Sequence, residues 1–478
     1  MNTELVSEFF GLDAASDPGL SLPTWRASSV QVCGLWPFAV GGNAPLVGAP
    51  LGRRLDAPGA LCADPLSWFE MKIIAAPSSM VIALNGLGKS SLVRRMALCH
   101  DAFGIRTMVL GDIKPDYVDV IEALGGQVIR IGHGKTGINP LDAGNVEEAL
   151  ELLPPGDPNR AALLGAAHER KKNLVASLIQ IIRRRPPEDR EETILDEAIR
   201  ELERKGGTPT LADLLTVIRN PTEAIRAAAL DRGDLDQYMR VTEDLEASLM
   251  SLLSGRFGGI FAVERTTPML MDRSVVFDVH DLLQAETDLQ AAVLLACWSY
   301  GFATVEIAQA LADAHLMPRQ RYHIVMDELW RILSASSGMV ARIDALTRLN
   351  RSIGVGQTMI THSIADLTSL ESEADRTRAM GFIERAKMLF FGGLPRREMD
   401  LIEQIMHMSD AERELLSSWN SAASWDPSNL TQARPVGLGK FLMKTSDAPG
   451  IPFQVAFVEG EEALSDTNKR WHKDVQNA

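Results

Sequence analysis

Residues 80–91 read Met-Val-Ile-Ala-Leu-Asn-Gly-Leu-Gly-Lys-Ser-Ser, and they restrict the possible folds more than any other part of the chain. A short apolar run meets a glycine-containing loop. Lys-Ser follows, and then helical spacing of apolar residues at Leu92, Val93, Met96 and Ala97. A strand, a loop and a helix in that order can wrap a polyphosphate. Gly86 and Gly88 let the backbone close around phosphate oxygens, with N–H groups pointing inward and the positive end of the helix behind them. Lys89 can reach the β and γ phosphates, and the Ser90 hydroxyl can ligate Mg²⁺. Asn85, Gly86, Leu87, Gly88, Lys89, Ser90 and Ser91 are therefore the candidate phosphate-binding residues. Ala83 stands where the strict pattern has glycine, six positions before the lysine; alanine lacks only glycine's extra φ freedom. The competing reading is a chance glycine-rich turn between strand and helix.

A second run, Tyr322-His323-Ile324-Val325-Met326-Asp327-Glu328-Leu329-Trp330, is an apolar strand ending in two carboxylates. In ATPases built on the first motif, the first carboxylate holds the Mg²⁺ shell and the next orients the attacking water. Asp327 and Glu328 fit these roles. Alone the pair is a weak signal, because an acidic pair at a strand end is common; with Lys89-Ser90 it is strong. The separation of about 240 residues between the motifs implies an insertion.

At 478 residues the chain has room for two or three domains, and 46% apolar with 23% charged residues is the composition of a globular protein. The net charge of −15 excludes a uniformly basic nucleic-acid-binding surface, so any DNA contact would be a local patch within an assembly. Four cysteines without Cys-x-x-Cys spacing give neither a metal cage nor a disulfide framework and point to a reducing cytoplasm. The acidic N-terminal stretch does not read as a signal peptide. The longest uncharged run, residues 289–305, contains Gln290, Ser299, Tyr300 and Thr304 and suits a buried core helix better than a membrane span.

Along the chain, residues 1–70 are rich in Gly, Pro and short apolar pieces and read as short strands and turns. Residues 71–143 alternate strand and helix: a helix to about residue 100, a strand at 107–111, a helix at 115–124 and a strand at 127–131. This alternation implies a parallel sheet with ligands at the strand carboxyl ends. Residues 144–254 change character. Helical periodicity dominates at 173–182, 192–202, 211–218 and 234–253, giving an all-helical insertion. Its basic clusters, Arg170-Lys171-Lys172 and Arg183-Arg184-Arg185, read as solvated helix ends or as a nucleic-acid or partner contact. Residues 255–478 resume the α/β pattern, with strands at 274–279, 356–361 and 387–391 and a long apolar helix at about 287–311. The fold class is thus α/β, a mostly parallel sheet with an all-helical insertion and a short β-rich N-terminal region.

Further stretches fit one family. Asp112-Ile113-Lys114-Pro115-Asp116-Tyr117, Leu124-Gly125-Gly126 and Ile138-Asn139-Pro140-Leu141-Asp142 resemble, in order and spacing, motifs of the VirB-type conjugative transfer ATPases of type IV secretion, in the HerA/FtsK superfamily. Residues 255–261 with 276–282, and residues 350–362, resemble that family's re-entry into the core and its Arg…Gly…Thr-Gln segment. The resemblance covers roughly residues 50–400. It implies a RecA-like P-loop NTPase core that hydrolyses ATP with Mg²⁺. Lys89 and Ser90 match the phosphate-loop Lys and Mg²⁺-binding hydroxyl, and Asp327 and Glu328 the acidic pair. His362 occupies the γ-phosphate sensor position, where the family usually has Gln, and histidine can donate the same hydrogen bond. Arg351 matches the arginine before the sensor strand. In hexameric motors a neighbour's arginine completes the site, with Arg351, Arg348, Arg378 and Arg385 as candidates, each equally readable as a surface charge.

The expectation is an ATP-hydrolysing motor of a conjugative or type IV secretion machine. It would be a homo-hexamer with ATP and Mg²⁺ as cofactors, cytoplasmic or peripheral at the cytoplasmic face of the inner membrane. Its partners would be other secretion-apparatus proteins and, in one version, DNA. Two alternatives stand beside it: a HerA/FtsK-like DNA-translocating pump or coupling protein, and a non-catalytic nucleotide-binding scaffold subunit.

Overall fold

The apolar run before the phosphate-binding motif is a strand buried on both faces, β3 of an eleven-stranded sheet. The computed structural model describes residues 44–334, 339–347, 354–370, 372–421, 425–426, 431–432, 435–445, 448–461 and 464. In chain order, β1 (Pro50–Arg54) and β2 (Ala60–Cys62) form an antiparallel pair. Helix α1 (Pro65–Glu70) follows, capped by Asp64. Then come β3 (Ser78–Ile82), α2 (Lys89–Ala102), β4 (Ile105–Asp112), α3 (Val118–Ala123) and β5 (Gln127–Arg130).

Seven helices follow: α4 (Val146–Leu152), α5 (Pro158–Arg183), α6 (Asp189–Lys205), α7 (Leu211–Arg219), α8 (Glu223–Ala228), α9 (Leu235–Leu253) and α10 (Gly255–Phe261). Their starts are written in local chemistry. Asp157 accepts from the Asn159 N–H ahead of Pro158, and Thr210 and Asp213 form a reciprocal capping box. The basic clusters on α5 are largely neutralised within the chain. Lys171 pairs with Glu203 at 3.0 Å, Arg183 holds both oxygens of Glu191 at 2.8 and 2.9 Å, and Arg170 pairs with Glu306.

The sheet resumes with β6 (Val275–Asp278). Helix α11 (Thr287–Asp313), β7 (Arg321–Met326), α12 (Leu329–Leu333), α13 (Met339–Thr347) and β8 (Val355–Thr361) come next. Then follow α14 (Ala365–Thr368), α15 (Glu373–Arg385), β9 (Met388–Phe391), α16 (Arg396–Glu403) and α17 (Asp410–Ser418). A separate two-stranded pair, β10 (Trp425–Asp426) and β11 (Thr431–Gln432), precedes β12 (Lys440–Lys444) and β13 (Ile451–Val455). Helix α11 is long and apolar enough to cross a membrane, but 94% of its most apolar window is buried inside the protein. It is the spine of the core, packed against α5 on one side and β4 on the other.

The sheet order is β2-β1-β13-β12-β9-β3-β8-β7-β4-β6-β5. From β9 to β5 all neighbours run parallel, and the four strands beyond β9 are antiparallel. The strands carrying the two motifs, β3 and β7, flank β8, which ends just before His362. Their carboxyl ends therefore open on one edge of the sheet, where ligands of such sheets bind.

Candidate active site

At that edge the chain after β3 leaves the sheet through Asn85 and Gly86 and enters α2 at Gly88. Gly86 and Gly88 have φ of 78° and 95°, which a side chain would resist. Among the described residues, none of the backbone N–H groups of Gly86 through Ser91 finds an acceptor in the chain. They form a ring of unpaired donors at a helix N-terminus, the arrangement that suits an anion. The loop is braced from outside by the Gly439 N–H, which donates to the Leu87 carbonyl at 2.9 Å. Ala83, the departure from the strict motif, has its own accommodation: its methyl faces Gly392, where an added Cβ would come within 2.5 Å of it.

Lys89 folds back over the loop. Its Nζ donates to the Ala83 carbonyl at 2.7 Å and the Leu84 carbonyl at 3.2 Å. Burial lowers its pKa to about 8 against the opposing pull of Asp327 and Glu328, so its charge gains from an incoming anion. The Ser90 hydroxyl donates to Asp116 at 2.6 Å.

The segment after β4 supplies the opposite wall. The spacing predicts a helix over 115–124, but α3 begins at Val118. Asp112 explains the delay: its carboxylate accepts the Asp116 and Tyr117 N–H groups at 3.1 and 2.8 Å, and this side-chain turn replaces a helical one. Burial pushes the Asp112 carboxyl well above its usual range. Tyr117 is buried and donates its hydroxyl to Asp327 at 3.2 Å.

The end of β7 brings in the acidic pair. Asp327 accepts the Glu328 N–H at 2.8 Å. Burial, with the neighbouring Glu328 charge, raises its pKa to about 6. Two carboxylates this close, one of them half-buried and short of positive partners, suit a divalent cation. Glu328 sits in the left-handed region at φ 53°, a conformation a non-glycine residue adopts only where its surroundings enforce it. Its Oε1 accepts from Lys114 at 2.7 Å, and its Oε2 accepts from Trp330 at 2.7 Å and lies 3.2 Å from His362 Nε2 and 3.4 Å from Arg331 Nε. Burial alone would raise its pKa, but His362 and Lys114 outweigh it and hold the carboxyl well below the usual range.

Asn85, Gly86, Gly88, Lys89, Ser90, Ser91, Asp327, Glu328 and His362 thus line one cleft of about 350 Å³, with Leu87 buried beneath it. Arg348 and Arg351 lie outside the described residues. Arg378 is exposed on α15, and Arg385 is engaged within the chain by Asp344 at 2.5 Å. Of the residues that motif spacing did not single out, Asp116 and Arg94 also line the cleft, and Trp330 and Arg331 support Glu328 from behind it without lining it. Only Asp116 had a signal, its place in the Asp112–Tyr117 run.

A parallel sheet whose central strand feeds a glycine loop and helix, faced by an acidic pair two strands away, defines a RecA-like P-loop core. Against solved structures, the chain is similar to VirB4 of Thermoanaerobacter pseudethanolicus, with 18% identity, 88% of this chain and 100% of that chain covered, and a TM-score of 0.63. It overlays more loosely on the bacterial conjugative coupling protein TrwB in an unbound form, with 15% identity, 86% and 89% coverage and a TM-score of 0.45. On TrwB in complex with ADP and Mg²⁺ the values are 13%, 80% and 85%, and 0.44. The fold assignment rests on the VirB4 match. No family model and no curated protein matches the chain.

Proposed function

We propose that this chain is a Mg²⁺-dependent ATPase acting as the motor of a conjugative or type IV secretion machine, energising transfer of DNA or protein or assembly of the apparatus. The observation that carries the chemistry is the meeting of Lys89 and Ser90 with Asp327 and Glu328 around a ring of unpaired N–H donors. The donors and Lys89 hold the phosphates of ATP. Ser90 and Asp327 hold Mg²⁺, which when bound neutralises charge on the transferring phosphoryl group. Glu328 orients the attacking water, and His362 contacts the γ-phosphate side of the cleft. Arg351, presented by a neighbouring subunit of a homo-hexamer, completes the site. The VirB4-like fold supports placing the motor in secretion, at the cytoplasmic face of the inner membrane with other apparatus proteins.

The test is ATP turnover of the purified chain with and without double-stranded DNA, beside Glu328→Gln. The variant should keep ATP binding and lose roughly 10²-fold or more in turnover, the range for a general base. Unchanged turnover would remove Glu328 from the mechanism, and strong stimulation by DNA would move the reading to a DNA pump.

A further inference from the structure

Glu328 is over-supplied with donors for a residue that must hold a water. Its Oε2 is crowded by Trp330, His362 and Arg331, and its Oε1 is taken by Lys114 at 2.7 Å. Oε1 is the less crowded oxygen, and the Lys114 ion pair fills one of its acceptor sites and lowers the carboxylate's basicity toward a water proton. The three partners on Oε2 follow β7 or β8, and two of them are tied into the structure by further contacts. Trp330 and Arg331 lie in α12, where Arg331 also donates to Gln290 and stacks 4.8 Å from the Trp330 ring.

Lys114 is different. Its side chain is 42% exposed and lines the phosphate cleft, whereas Glu328 is 5% exposed. Its backbone is pinned on the far side. Asp116 is held through its N–H by Asp112, through its carboxylate by Ser90, and through its carbonyl by Arg94 at 2.8 Å. What can move is the four-carbon stem and its ammonium. An anion placed in the cleft at the loop N–H groups competes with Glu328 for that ammonium, and a third phosphate competes best because it adds negative charge that a diphosphate lacks.

We propose that Lys114 is an exchanging partner: it latches Glu328 in the empty site and transfers its ion pair to the terminal phosphate of a bound nucleoside triphosphate, freeing Glu328 Oε1 for water. This rests on the reading of the cleft as a nucleotide site. Lys114 would then be a positioning residue that makes the base available only when a triphosphate is present, and a diphosphate would leave the latch closed. No bond is made or broken beyond the exchange of one ion pair for another.

The experiment is equilibrium binding of ADP and of adenylyl-imidodiphosphate, each with Mg²⁺, to the full chain and to Lys114→Met and Lys114→Arg. Lys114→Met should weaken the triphosphate analogue about 10-fold or more, the worth of one charge-assisted hydrogen bond, and leave ADP within about twofold. Lys114→Arg should restore most of the difference. A double-mutant cycle reads the exchange directly. Glu328→Gln should tighten the analogue more in the wild-type background than in Lys114→Met, because only there does it release a latched lysine. Equal losses for both nucleotides, no loss, or identical effects of Glu328→Gln in both backgrounds would each overturn the exchange. A wild-type chain that binds neither nucleotide would instead overturn the function reading, and the latch with it.

Discussion

Replacing Asp327 with Asn removes a charge that the empty site holds at a disadvantage. The carboxyl is raised from 3.8 to about 6 by burial and by Glu328 beside it. Each unit is worth about 1.36 kcal/mol, so ionising Asp327 in the folded protein costs up to ~3 kcal/mol relative to the unfolded chain. The residue is only half-buried and Lys89 gains from its charge, so about 2 kcal/mol is the better figure after screening. The sign follows from linkage. A raised acid binds its proton more tightly when folded, so its contribution is fully present below pH ~4 and lost as pH rises through about 6. Asp327→Asn carries no such loss, and its amide oxygen can still accept the Glu328 N–H. In chelator and without nucleotide, the variant should melt about 2 °C above wild type at pH 8, given roughly 1 kcal/mol/K of unfolding entropy for a chain of this size. The gain should fall to about half at pH 5 and vanish as pH drops below ~4, and Mg²⁺ with ATP should stabilise wild type more than the variant. Calorimetry at the two pH values decides it. A variant destabilised equally at both would show that Asp327 is held by its hydrogen bonds rather than strained by its charge.

Other outcomes follow from the same geometry. Gly392→Ala should overpack against the Ala83 methyl and cost about 1–3 kcal/mol by chemical denaturation, while the exchanged pair Ala83→Gly with Gly392→Ala should recover most of it. Lys89→Ala should abolish measurable ATP binding in a filter or calorimetric assay, since the loop N–H groups alone leave the phosphate charge uncompensated. Mixing Arg351→Ala with Glu328→Gln chains should recover activity if the arginine acts across a subunit boundary, because a mixed ring can pair an intact Glu328 with an intact neighbouring Arg351. No recovery despite proven co-assembly would count against that role.

Much of the parallel sheet was legible because its signals are local. The apolar run before Asn85, the spacing of Leu92, Val93 and Met96, and the carboxylates after Met326 each lie within a dozen residues. The helices between Val146 and Leu253 were legible for the same reason, through period and caps. The C-terminal strands β12 and β13 were not. They bury Phe441 and Phe453 against each other, but the run holding Lys440 and Lys444 shows no clean alternation. The environment of Glu328 was beyond reach in principle. Its partners Lys114 and His362 come from segments hundreds of residues apart, and only folding brings them to one carboxylate. The exemption of Ala83 from the glycine rule was likewise invisible, because Gly392, which makes room for it, lies just past the end of β9, about 300 residues on.

The order of the strands also dictates when this protein can acquire its site during synthesis. β3, which launches the phosphate loop, is paired on one side with β8 and on the other with β9, both made long after it. Roughly 300 residues separate Ile82 from its pairing with Phe391, and at about 5–20 residues per second the ribosome takes about 15–60 s to supply them. Until β8 is made both edges of β3 present unpaired N–H and C=O groups, the β9 side stays bare until Phe391, and the loop β3 carries has neither the brace of Gly439 nor the space left by Gly392. A nascent chain in that interval is open to mispairing and to chaperone capture, and a truncated product ending before β9 would expose the same strand permanently.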